Sequence, residues 1–144
     1  MLFKRGMIRV ALLPFLFVMT ACGSTTGNKV DTPAGTFKIE EVQLSDRFPP
    51  DCSSGAGCWS ADSGYQMLVI WLTPPSDFDG DISEGMTDEQ PYLTIDGDNR
   101  IEIAISGIAQ SRYFLAFTPP DSASEFTLTW PDNSPLDLGN FLEN

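Results

Sequence analysis

The residues with chemical reach in this chain are three cysteines, a run of carboxylates and a few tryptophans. Cys52 and Cys58 enclose five residues in CSSGAGC and can close a small disulfide ring, while Cys22 stands apart, directly after the small pair Thr20-Ala21. Asp77, Asp79, Asp81, Glu84 and Asp88 crowd into SDFDGDISEGMTDEQ, a composition that suits Ca2+, a hard cation that takes oxygen ligands. The opening Asp77-x-Asp79-x-Asp81 matches the start of an EF-hand loop. The match then fails, because Ile82 holds the turn position that needs glycine and Asp88 holds the position of the bidentate glutamate. A solvated acidic loop is the expectation, with a calcium-dependent adhesion or stability site of another kind as the alternative. Trp59 follows Cys58 directly, so a closed ring would fix it; it is expected to cover an end of the core, with ligand contact as the sharper alternative.

Enzymatic machinery is thin. The chain has no histidine, which removes the usual general base, the usual proton shuttle and the commonest transition-metal ligand. It has no G-x-S-x-G nucleophile motif, and a Ser-Lys dyad could draw only on Lys29 or Lys38 outside the first ten residues. Paired carboxylates about 5 to 10 Å apart could serve glycoside hydrolysis, but no pair is singled out, so a carboxylate hydrolase is a minor alternative to a non-enzymatic protein.

The first 22 residues carry the clearest statement of address. Lys4, Arg5 and Arg9 make a positive start, Val10 to Met19 is apolar throughout, and Thr20-Ala21 are the small residues that precede a cut. The apolar run is too short for a hydrocarbon core, which needs about 20 residues, and Pro14 interrupts it. Met19-Thr20-Ala21-Cys22 resembles the lipobox of bacterial lipoproteins, with Met19 where leucine is usual. That resemblance implies removal of residues 1–21, diacylglycerol and a further acyl chain such as palmitate on Cys22, and a place on the cell membrane or outer membrane facing periplasm or exterior. One acyl chain binds marginally, whereas two or three hold firmly. With Cys22 assigned to lipid, Cys52 and Cys58 remain as a pair in an oxidising compartment and are expected to form a disulfide.

Cleavage takes away three of the eight basic residues and none of the twenty acidic ones, leaving five against twenty and a net charge of −15. Such a field repels phosphate backbones and anionic headgroups, which argues against nucleic acid and suits a cationic partner or cations. The remaining 123 residues suit one domain. Residues 22–35 are small and polar apart from Val30 and are expected to be a flexible tether, with the domain spanning 36–144.

The domain must supply elements to position these groups. TFKIEEVQL (36–44) alternates with Phe37 and Ile39 on one face, then switches parity to Val42 and Leu44, which predicts a bulge at Glu40-Glu41. YQMLVIWL (65–72) and RYFLAFT (112–118) are apolar on both faces and belong in the middle of a sheet. Residues 92–106 read as a hairpin about Asp96-Gly97, with Ile101, Ile103 and Ile105 on its return strand. Phe126, Leu128 and Trp130 mark a half-exposed strand, and Leu136 and Leu138 a short last one. No helical period stands out.

About seven short strands punctuated by Pro, Gly and Asp predict an all-β, antiparallel, immunoglobulin-like β-sandwich. The order TFKIEEVQL, GYQMLVIWLT, YLTIDGDNRI and RYFLAFTPPDSASEFTLTW resembles the telokin-like, immunoglobulin-like domain of bacterial lipoproteins of unknown function, with Thr73-Pro74-Pro75 and the acidic segment replacing that family's Asn-containing loop. The resemblance supplies no catalytic residues. The expected protein is a lipid-anchored envelope binding module for another envelope or extracellular protein. Convergence of the disulfide loop, Trp59 and the acidic loop at one end would define a binding surface.

Overall fold

In the computed structural model, residues 27–53, 55, 57–82 and 89–143 are described. The leader, Cys22, Glu84 and Asp88 lie outside them. The chain folds around β5 (Met67–Thr73), whose first six residues are all buried. A strand buried on both faces needs cover on both, and here the two covers differ. Leu68, Ile70 and Leu72 enter the main core between two sheets, whereas Met67, Val69 and Trp71 enter a smaller cluster on the outer face.

The larger sheet is antiparallel and runs in the order β1 (Lys29–Thr32), β2 (Gly35–Ser45), β5, β9 (Arg112–Phe117), β8 (Ile105–Ala109). The facing sheet runs β11 (Leu136–Asp137), β10 (Phe126–Thr129), β6 (Tyr92–Ile95), β7 (Asn99–Glu102). Between them lies an apolar core that includes Phe37, Leu72, Leu93, Leu115, Phe117, Leu128 and Trp130. The fold is thus an all-β antiparallel sandwich, as the strand pattern predicted. A two-stranded ribbon, β3 (Arg47–Phe48) with β4 (Trp59–Ser60), is the third sheet, and a single helical turn, α1 (Gly139–Leu142), closes the described chain.

The bulge stands where the parity switch placed it. Ile39 pairs with Leu72 and Glu41 with Trp71, so the register shifts between Ile39 and Glu41, and Val42 returns to the core side opposite Ile70. At the Asp96-Gly97 turn both residues take positive φ, 48° and 86°, the backbone twist that a tight hairpin requires.

Three expectations need correction. Lys29–Thr32 is not tether but β1, paired with β2 from Lys29 opposite Lys38 to Thr32 opposite Gly35. The cause is Val30, the one branched aliphatic residue of the segment, which is buried in the main core. The side chain of Asn133 reinforces the attachment: it accepts from the Asp31 amide and donates to the Asp31 carbonyl, both at 2.8 Å, in the manner of a strand neighbour. Tyr65 does not begin the central strand; it makes an isolated bridge to Pro120 and is 50% exposed. The return strand of the hairpin is broken after Glu102, because Ile105–Ala109 leaves the smaller sheet and pairs with β9 in the larger one.

Candidate functional site

Two stretches were candidates for binding, and β5 separates them. The disulfide ribbon packs on the outer face of the larger sheet, over Trp71 and Phe114, whereas the described part of the acidic segment is anchored on the inner, main-core side through Phe78, Ile82 and Tyr113. Among the described residues the two stretches therefore belong to opposite faces of that sheet.

The disulfide end is built from Phe48 upward. Phe48 is fully buried on the outer face of the larger sheet, with ring centroids 4.7 Å from Phe114 and 5.5 Å from Trp71. Its partner across the ribbon is Trp59, stacked on it at 5.8 Å with planes 23° apart. Trp59 therefore has one face on Phe48 and remains 44% exposed, while Trp71 and Trp130 are buried, as their strand parity implied. The Cys52–Cys58 disulfide closes the loop beyond the ribbon, with Cα atoms 5.8 Å apart. Arg47 ties that loop down by donating to the Cys52 carbonyl at 3.0 Å. Arg47 also holds the neighbouring Asp46 carboxyl below its ordinary pKa, through its hydrogen bond and its charge.

Where the chain leaves the ribbon it borders an open pocket of 320 Å³, lined by Ser60, Ala61, Asp62, Tyr65 and Thr118. The pocket is shaped by a turn in which the Tyr65 amide donates to the Asp62 carbonyl at 3.0 Å, with Gly64 at φ 87°. Two hydroxyls, one carboxylate and a half-exposed phenol ring line it without a cation. Such a set accepts hydrogen bonds and favours a neutral or cationic group.

Beside the ribbon a polar relay finishes the outer face. Trp71 Nε1 donates to Gln43 at 3.0 Å, Gln43 donates to Glu41 at 2.6 Å, and Arg112 pairs with Glu41 at 3.2 Å while its guanidinium lies 4.1 Å from the Trp71 ring centroid. The relay satisfies a buried indole N–H and clamps β2, β5 and β9 together on that side. Sequence reading missed this relay, Phe48 and the pocket residues Ser60, Asp62 and Thr118. One signal was present: Trp71 lies on the opposite face of its strand from Leu68, Ile70 and Leu72, so something had to cover it.

The acidic end is anchored by apolar groups. Ile82 is buried in the main core, Phe78 packs edge-on against Phe37 at 5.2 Å, and Tyr113 donates its hydroxyl to the Gly80 carbonyl at 2.6 Å. Asp77, Asp79 and Asp81 are exposed between these anchors. Among the described residues no three His, Cys, Asp or Glu side chains are grouped to hold a metal ion. Calcium binding gains no support from these positions.

At the hairpin, Asp96 accepts from the amides of Ser124 and Glu125 at 3.1 and 3.0 Å. These bonds, the Ser124 amide first, depress its pKa below the ordinary aspartate value. They pin the turn to the segment that joins β9 to β10. Arg100 and Glu102 form an exposed pair at 2.7 Å on β7, and this partner raises the Arg100 pKa.

No helix among the described residues is long and apolar enough to cross a membrane. The fold and surface define an antiparallel β-sandwich that carries a disulfide-closed aromatic ribbon. No family model, characterised protein or solved structure matches the chain.

Proposed function

We propose that this chain is a non-enzymatic, lipid-anchored binding module of the bacterial envelope. Residues 1–21 direct export, Cys22 carries the acyl chains, and the sandwich presents the ribbon surface to another envelope or extracellular protein. The observation that carries the reading is Trp59, stacked on fully buried Phe48, next in sequence to the Cys52–Cys58 ring and left 44% exposed. A large aromatic costs little entropy to bind with when its ring is already fixed, and such anchors dominate interface energies. The disulfide supports the address, because such bridges persist in oxidising compartments. The acidic charge balance selects the partner's sign: a basic surface is attracted, and nucleic acid is repelled.

Two measurements test this. Labelled palmitate should enter the wild-type protein in cells and not Cys22→Ser; an unlabelled wild type defeats the anchor. A photo-crosslinker at Ser60 should capture a reproducible partner that is lost on Trp59→Ala, whereas the same crosslinker at Asn99 should not. Equal capture from both positions, or none from Ser60, defeats the binding surface.

A further inference from the structure

We infer that the pocket between the ribbon and the start of β5 is a site for a primary ammonium group on an aliphatic stem, the end of a lysine side chain or of a free alkylamine. The inference goes beyond the Trp59 surface: it stands on the pocket's own lining, and either can fail while the other holds.

The pocket is preformed by backbone bonds. Ser60 ends β4, and Ala61 packs on the outer-face cluster with its amide on the Asp46 carbonyl at 3.0 Å. Thr118 directly follows β9. The turn from Asp62 to Tyr65 is tied to the chain after Thr118: the Gln66 amide donates to the Pro119 carbonyl and the Asp121 amide to the Gly64 carbonyl, each at 3.0 Å, and Tyr65 bridges Pro120. Walls already fixed leave little to be ordered when a ligand enters. At 320 Å³ the space lies at the lower end of ligand pockets, about 300 to 1,000 Å³, so it takes one small group.

The lining selects the sign and the shape of that group. Among the described residues, the Asp62 carboxylate, the Ser60 and Thr118 hydroxyls and the Tyr65 phenol have no hydrogen-bond or ion-pair partner. No lysine or arginine lines the pocket. Arg47, opposite Ser60 across the ribbon, is engaged by Asp46 at 3.4 Å and by the Cys52 carbonyl at 3.0 Å. Arg100 and Arg112 pair with Glu102 and Glu41, while Lys38 lies opposite Thr73 at the far end of β5 and Lys29 opposite Lys38. The cation that complements Asp62 therefore comes from another molecule, and a chain with twenty acidic and eight basic residues draws cations and repels anions. A primary ammonium has three donors, and Asp62, Ser60 and Thr118 are three accepting groups. It is also a compact charge with rotatable donors, whereas a guanidinium is a rigid planar fork. A quaternary ammonium is recognised by cages of aromatic faces, and Tyr65 is the only ring in the lining. That ring, 50% exposed, can lie against the stem or the charge, as the Tyr92 ring already does with Arg100 at 3.9 Å.

The test is an NMR titration of the isotope-labelled full chain, in non-ionic detergent, with n-butylammonium chloride against sodium chloride at equal ionic strength. Amide shifts should saturate in the millimolar range and be largest at residues 60–66 and 118. Tetramethylammonium and n-butanol should give no saturable shift there, and n-butylguanidinium should bind more weakly. Asp62→Asn keeps the backbone carbonyl that accepts from the Tyr65 amide, so it should weaken binding about fivefold, the scale of an exposed ion pair, with an unchanged melting temperature. Thr118→Val removes one acceptor at nearly constant volume and should also weaken binding, whereas Asp77→Asn on the acidic segment should leave it unchanged. Both sources of the group are compatible with the site: tighter binding of Nα-acetyl-lysine amide than of diaminobutane assigns it to a protein side chain, and the reverse order to a free amine. Absence of a saturable shift, equal binding of n-butanol, tighter binding of n-butylguanidinium, or binding untouched by Asp62→Asn would each overturn the inference.

Discussion

Phe48→Ala is the perturbation that best separates a ribbon docked as part of the fold from one that rests loosely on it. Phe48 loses no surface to solvent and touches three rings, Trp59, Trp71 and Phe114. A buried aromatic side chain covers about 150 to 250 Å². At about 25 cal/mol per Å² its removal forfeits about 4 to 6 kcal/mol as an upper bound. Measured Phe→Ala costs of about 3 to 5 kcal/mol set the working figure near 4. For a domain of this size that lowers the melting temperature by on the order of 15 °C. Trp59→Ala is the control, because half of that ring already meets water and its truncation leaves Phe48 in place; about 1 to 2 kcal/mol is expected. Urea unfolding followed by Trp71 fluorescence reads both variants. If Phe48→Ala costs less than about 1 kcal/mol, or no more than Trp59→Ala, the ribbon is not a cooperative part of the domain.

Further expectations follow from the same contacts. Replacing Cys52 and Cys58 with serine should cost about 2 kcal/mol, the chain-entropy value for so short a ring, with the loss visible in Trp59 fluorescence anisotropy before global unfolding. Asn133→Ala removes two hydrogen bonds to Asp31 and should cost about 1 to 3 kcal/mol, with faster amide exchange confined at first to residues 30–32. The depressed pKa of Asp96 means that its carboxylate stabilises the fold above the ordinary aspartate range, and that this contribution is lost as pH falls through the folded value. Asp96→Asn should therefore be less stable than wild type at pH 7, and the gap should close in acid melts below about pH 4. Millimolar calcium should leave the melting temperature unchanged; a rise of several degrees would bring Asp77, Asp79 and Asp81 into a shared site.

Much of the sandwich was legible because its strands are amphipathic or doubly apolar at period two. The switch from Ile39 to Val42 located a bulge, and the two-faced runs located β5 and β9. What the pattern hid were elements whose reason lies across the fold. Val30 looked like one apolar residue in a tether, and only the open core beside Phe37 and the Asn133 amide turn its segment into a strand. Ile105 continued the alternation of Ile101 and Ile103, so local periodicity carried no sign that the chain changes sheets between them. At the ribbon, Phe48 carried no local sign of its role, although Trp71, on the opposite face of its strand from Leu68, Ile70 and Leu72, required a cover from elsewhere. The Cys52–Cys58 ring beside Trp59 was legible because it is a local feature of sequence, whereas the Phe48 ring on which Trp59 stacks lies eleven residues before it.

The way β1 joins the domain has a mechanical side. Tension applied through the N-terminal segment reaches the fold first at Asn28, whose carbonyl accepts from the Ile39 amide at 2.6 Å, and then at Lys29, whose partner Lys38 is the pair farthest from the turn at Pro33-Ala34. Load then opens the β1 and β2 ladder one rung at a time from that end, like a zip, instead of shearing every rung together. Freeing residues 29–35 releases about 24 Å of chain at full extension. The larger sheet keeps β2, β5, β9 and β8 while this happens. Val30 and the Asn133 amide set the force at which β1 parts, while Phe48 of the ribbon stays packed on Trp71 and Phe114.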